Sequence, residues 1–160
     1  MVLGSAALSV YTYAGSSTST MNVSVSVVQS CSMDSSPMAF GAYDGFVANA
    51  STALEATATV VSTCTSGAAV LITMNAGASA GSGSADAPVR RMTAGAEKYI
   101  VYQVYSDVAR GAIWGNTAPT GVALNGTGVS QTLTAYGSVP AAQLAAQGVY
   151  SDQLSVTITY

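Results

Sequence analysis

Two stretches of strict two-residue alternation bracket this chain. Met21, Val23, Val25 and Val27 alternate with Asn22, Ser24 and Ser26, and the run continues through Val28 to Cys31. At the other end Leu154, Val156, Ile158 and Tyr160 alternate with Ser155, Thr157 and Thr159. A period of two puts all the apolar side chains on one face of a strand, which no helix can do. Between them lie three more β-rich runs, Ala58 to Cys64, Ala69 to Met74 and the aromatic Tyr99 to Tyr105. Thr65-Ser66-Gly67 reads as a turn, and Gly77 to Pro88, Asn116 to Gly128 and Gly137 to Gly148 read as loops. The one helical candidate is Ala141 to Gln147, closed by Gly148. Short strands punctuated by turns over 160 residues predict one all-β domain, an antiparallel sandwich.

The inventory of side chains removes several functions. The chain has no His, only 4 Lys and Arg, and 7 Asp and Glu, for a net charge of -3. An imidazole base, a His metal site and a Ser-His-Asp triad are excluded, so no catalytic, metal or cofactor site is expected. Four basic side chains cannot neutralise a phosphate backbone, so no nucleic-acid partner is expected. No run approaches the roughly 18 to 20 apolar residues of a spanning helix, and no membrane insertion is expected. Ala, Gly, Ser and Thr make up 83 of the 160 residues. Yet 49% of the chain is hydrophobic and patterned, which is not the composition of a disordered segment.

Cys31 and Cys64 are the only cysteines. One even pair without a CxxC or further ligands suggests a disulfide made in an oxidising space, the periplasm, a cell surface or outside; two buried free thiols are the alternative. Closing a loop of about 34 residues, a disulfide stabilises by roughly 4 kcal/mol in the chain-entropy treatment. Met1 to Ala14 is mostly apolar or small but lacks the basic start of a signal peptide, since the first Lys or Arg is Arg90. It reads either as the remnant of a signal sequence or as an N-terminal extension.

The bracketing strands leave a problem. The terminal run has no following segment to cover it, and the first run is preceded by the flexible Gly15-Ser16-Ser17-Thr18-Ser19-Thr20. Neither carries the Lys or Pro that blocks an exposed sheet edge. Either both strands pair inside one closed domain, or the first strand of one copy completes the sheet of the next in a non-closing, head-to-tail contact.

A set of short motifs bears on that choice. Tyr102-Gln103-Val104-Tyr105-Ser106-Asp107, then Ala109-Arg110 and Ile113-Trp114-Gly115, resemble the middle of the spore coat protein U domain family, which includes the subunits of archaic chaperone-usher pili. Tyr136-Gly137-Ser138-Val139-Pro140 and Gln147-Gly148-Val149-Tyr150-Ser151-Asp152, followed by the alternating strand, resemble its C-terminal block. Cys31 after an alternating strand, with Phe40-Gly41 beyond it, extends the resemblance over Ser19 to Tyr160.

The resemblance implies an incomplete immunoglobulin-like sandwich completed by donor-strand complementation from a neighbouring subunit. It implies a signal remnant or extension over 1–14, a donor segment over 15–28 and the pilin domain over 29–160. The donor would be Thr20 to Val27, filling a groove with Met21, Val23, Val25 and Val27. Leu154, Val156, Ile158 and Tyr160 would form one groove edge and the strand around Cys31 the other, with the disulfide tying the first strand to the second at Cys64. Were Met1 to Ala14 retained, Leu8 and Val10 could take part in the inserted strand. Implied partners are identical subunits, a periplasmic chaperone and an outer-membrane usher.

Other constellations read more simply. Asp34 and Asp44 sit among turn residues, Asp107 and Arg110 read as a local ion pair, and Arg90-Arg91 as an acidic-partner contact or a solubilising pair. Trp114 with Tyr102 and Tyr105 reads as core rather than a sugar platform. Asn22, Asn49 and Asn125 begin N-x-[ST] sequons, of which a chain with this much Ser and Thr produces some by chance.

The expected function is a structural pilin of a cell-surface fimbrium, serving adhesion and biofilm formation without enzymatic activity. The alternatives are a spore-coat or envelope matrix protein of the same fold and a carbohydrate-binding module or tip adhesin.

Overall fold

A computed structural model describes residues 12–160. Within them the chain forms eight strands and no helix: β1 (Cys31–Ser35), β2 (Leu54–Cys64), β3 (Ala69–Met74), β4 (Arg90–Thr93), β5 (Tyr99–Tyr105), β6 (Val122–Asn125), β7 (Ser130–Val139) and β8 (Val156–Thr159). They build two antiparallel sheets, one in the order β1-β2-β7-β5-β4 and one in the order β6-β3-β8. The all-β, antiparallel class read from the sequence is the observed one.

Alternation produces the core. Val60, Ser62 and Cys64 of β2, Ile100, Tyr102 and Val104 of β5, and Ala135 and Val139 of β7 point inward from the larger sheet. Val70, Ile72 and Met74 of β3 point inward from the smaller one. Trp114 is fully buried between them, and its indole N–H donates to the Ile72 carbonyl at 2.9 Å. The core reading of Trp114 and Tyr102 therefore describes the structure.

Other readings change. Arg90 is neither a surface charge nor a partner contact, because it is fully buried at the start of β4. Its guanidinium donates to the carbonyls of Asn75 at 2.9 Å, Met74 at 3.1 Å and Trp114 at 2.7 Å, as well as to the Gln103 side chain. A cation that spends its donors on main-chain acceptors joins the two sheets without a carboxylate partner. Burial pulls it down to about 10, still protonated at neutral pH.

Asp107 does not pair with Arg110. Its carboxylate accepts from the N–H groups of Gly111 and Ala112, which holds it below the usual carboxylate range, while Arg110 reaches Glu55 at 3.0 Å. Ala141 to Gln147 is a turn and loop. Ala142 has φ +58°, outside any helix, and the Gln143 side chain both donates to and accepts from the main chain of Val101. Strands β6 and much of β7 fall inside or beside stretches read as loops, and Asn49 is buried, so its sequon is closed to modification.

Candidate functional site: an open groove between two strand edges

Among the described residues, β1 has β2 on one side and no strand on the other, and β8 has β3 on one side and no strand on the other. In β8 and the residues before it, the odd-numbered main-chain groups face β3 and the segment that follows it. The Ser155 carbonyl accepts from Asn75 N–H at 3.0 Å and the Gln153 carbonyl from Ala78 N–H at 3.1 Å. The main-chain donors and acceptors of the even-numbered Leu154, Val156 and Ile158 therefore face the open side, while their side chains point inward. A buried or apolar position for such a row of free groups demands a partner.

The sandwich is not filled beneath this edge. A cavity of about 330 Å³ opens among Ser35, Ala58, Tyr102, Ala135, Leu154 and Val156. A second, of about 610 Å³, continues from it past Met92, Leu54 and Tyr150 to Phe46 and Val149. Met38, Phe40, Met92 and Tyr150 border both, so the two form one trough. Met38 and Phe40 lie on the floor because Gly137 lets them: a methyl there would overlap the Met38 sulfur and sit 2.7 Å from Phe40. Phe40 in turn meets Tyr102 edge-on, ring centres 6.1 Å apart.

One wall of the trough is pinned by a polar cluster. Asp152 accepts from the Tyr102 hydroxyl at 2.7 Å and from the N–H groups of Ala78 and Ser79 at 2.9 and 3.1 Å. Burial, then the bond to Asp152, push the Tyr102 phenol far above its ordinary range. Ser151 exchanges two main-chain bonds with Thr93, so the segment entering β8 is fixed to the end of β4 through its odd-numbered side.

The predicted site residues fall into three groups. Cys31 and Cys64 are disulfide-bonded and closely packed at the end of the sandwich away from the trough, joining β1 to β2. Leu154 and Val156 line the trough, whereas Ile158 pairs with Ile72 nearer the disulfide and Tyr160 is half exposed, and neither lines it. Met21, Val23, Val25 and Val27 are 79 to 89% exposed. Residues 12–29 belong to no strand and make no hydrogen bond to the sandwich, the first being at Ser30 with Thr65. Residues 1–11, with Leu8 and Val10, lie outside the described part.

Sequence reasoning missed Met38, Met92 and Asp152 as trough residues. Their signal was weak: isolated apolar residues in stretches without alternation, and a carboxylate whose partners are distant in sequence.

The profile of the Spore Coat Protein U domain matches residues 17–157. The chain belongs to the Spore Coat Protein U domain family. The family match takes in the exposed segment from residue 17 onward together with the sandwich, so both are parts of one Spore Coat Protein U domain. "Protein U" of Myxococcus xanthus is 34% identical over 155 residues, which are 92% of this chain and 87% of that protein. Among solved structures, a chain of the CsuC-CsuE chaperone-tip adhesion subunit pre-assembly complex, from the archaic chaperone-usher Csu pili of Acinetobacter baumannii, superposes with a TM-score of 0.57. The match covers 84% of this chain but only 40% of that one, and at 14% identity the likeness is one of fold.

Proposed function

We propose that this Spore Coat Protein U domain is a structural pilin, polymerising head to tail by donor-strand exchange into an archaic chaperone-usher fimbrium at the cell surface. The observation that carries the reading is one mismatch within a single chain. Among the described residues, four alternating apolar side chains stand exposed on a segment that belongs to no strand, while the sandwich it precedes has an open edge at β8 above an unfilled trough. Burying four residues of Val or Met size contributes on the order of 6 to 12 kcal/mol before ordering entropy is subtracted. The same insertion satisfies the free main-chain row of Leu154, Val156 and Ile158.

In this reading residues 15–28 are the donor and 29–160 the acceptor domain, with residues 1–14 a signal remnant or extension. A trough this open needs cover before assembly. A periplasmic chaperone supplies it and an outer-membrane usher exchanges it for the next copy; the solved relative from a chaperone-subunit complex supports this. Surface adhesion and biofilm formation follow from the polymer, and no catalytic step is asked of any residue. The 34% identity to "Protein U" favours a second reading, a coat or envelope matrix protein that uses the same pairing.

Removing residues 1–28 tests the proposal. The truncated protein is expected to stay monomeric under electron microscopy while the full chain forms thin filaments with one domain per repeat. Filaments from the truncated protein contradict it.

A further inference from the structure

We propose a register for the insertion, which rests on the pilin reading: the neighbour's donor runs antiparallel to β8 with Met21 opposite Val156, Val23 opposite Leu154, Val25 opposite Asp152 and Val27 opposite Tyr150. Four features of the structure select it.

Direction comes first. The chain's own N-terminal segment leaves the sandwich at Ser30, beside Thr65 and the disulfide, and β8 runs from the trough toward that same end. A donor parallel to β8 would bring the neighbouring domain to the disulfide end, onto the departing segment. The antiparallel direction places that domain at the opposite end, beyond Val149 and Phe46, where nothing leaves.

Parity comes second. Directly opposed residues of an antiparallel pair share a face. The free main-chain groups and the inward side chains of this edge both belong to even-numbered residues, so the odd-numbered Met21, Val23, Val25 and Val27 must oppose them. The choice is then among registers two residues apart, because a slip of one would turn all four apolar side chains to solvent.

Spacing comes third. On the segment that leads into β8, Tyr150, Asp152, Leu154 and Val156 are partly buried and border the trough, alternating with the exposed Ser151, Gln153 and Ser155. Four inward positions over six residues match the four apolar donors over six residues.

The filled end decides among the registers. Toward the disulfide, Cys64, Val70 and Ile72 are already 0 to 3% exposed with no donor present. Seating Met21 opposite Tyr160 would press it on this closed end and leave the larger cavity empty. The proposed register instead brings Val27 to Tyr150, where the two cavities meet. Asp152 tolerates Val25 opposite it because Tyr102, Ala78 and Ser79 already occupy its carboxylate.

Cysteine pairing reads the register. Leu154→Cys is combined in turn with Val23→Cys, Val25→Cys and Val27→Cys, filaments are grown and mildly oxidised, and the fraction of cross-linked subunits is read on non-reducing gels. Cross-linking with cysteine at 23 is expected to exceed that at 25 or 27 at least severalfold. A maximum at 25 or 27 overturns the register and leaves the pilin reading intact. Filaments that cross-link at none of the three overturn the register, and where Met21→Cys with Leu154→Cys gives no cross-link either they overturn the pilin reading as well. Where a double variant stays monomeric, the Leu154→Cys chain is refolded with synthetic peptides of residues 15–29 carrying the cysteine at 23, 25 or 27, and adduct formation is read by mass with the same outcomes.

Discussion

The Tyr102 hydroxyl donates to Asp152 in one wall of the trough at 2.7 Å, joining positions fifty residues apart in the chain. The bond ties β5 of the larger sheet to the segment that becomes β8 of the smaller one. It thereby fixes where the open edge stands over the cavity. Tyr102→Phe is expected to lower stability by about 2 kcal/mol, the usual worth of a bond to a charged acceptor. The loss also depends on pH. Inside the fold the phenol holds its proton far above the range of a free tyrosine. The stabilisation is therefore complete below about pH 10 and falls as rising pH ionises the unfolded chain's phenol first. Denaturant titrations at neutral pH and near pH 11 check this: the gap between wild type and Tyr102→Phe should narrow at the higher pH, and a constant gap refutes the coupling.

Val25→Asp separates assembly from folding. Val25 is 89% exposed in the single chain, so the substitution is expected to leave the monomer's melting temperature within experimental error. Inserted in a neighbour's groove beside Asp152, the new carboxylate would be desolvated against a like charge, which costs several kcal/mol. Filament yield should fall by at least tenfold. A variant that polymerises as the wild type does contradicts the donor assignment.

How much of this was written in the sequence follows from the range of the interactions. The runs at 69–74 and 99–105 are the observed β3 and β5, because period-two alternation is local and survives any packing. Strand β4 was not legible: its two arginines look like surface charge, and only the convergence of three carbonyls from β3's end and Trp114 makes Arg90 an interior residue. The helix expected at 141–147 failed for the same reason. Its alanines favour a helix in isolation, but Gln143 gains two bonds to Val101 and holds the loop open. The alternation at Met21 to Val27 and Leu154 to Tyr160 was legible locally, but the roles of donor and groove edge were assigned only through the family resemblance. The trough was not legible, since it is made by Met38, Phe40, Met92 and Gly137, which no local pattern brings together.

The disulfide anchors β1 as an edge strand. Among the described residues its five residues pair with β2 alone, and Ser35 at its far end lines the trough. Cys31→Ser with Cys64→Ser is expected to cost roughly 4 kcal/mol by loop entropy, since the bridge spans a separation of 33 residues. The measurable sign is a lower melting temperature that added reductant no longer changes, whereas wild type in reductant drops to meet it. Equal melting temperatures for the wild type with and without reductant would show that the bridge does not stabilise the fold.

The most direct test is a cryo-electron-microscopy map of the assembled protein at a resolution that traces side chains. The account predicts that Thr20 to Val27 of each subunit lies beside β8 of the next, with Met21, Val23, Val25 and Val27 pointing into the trough over Tyr102 and Phe40. A map in which that segment pairs within its own domain, or lies in solvent while subunits touch elsewhere, contradicts it.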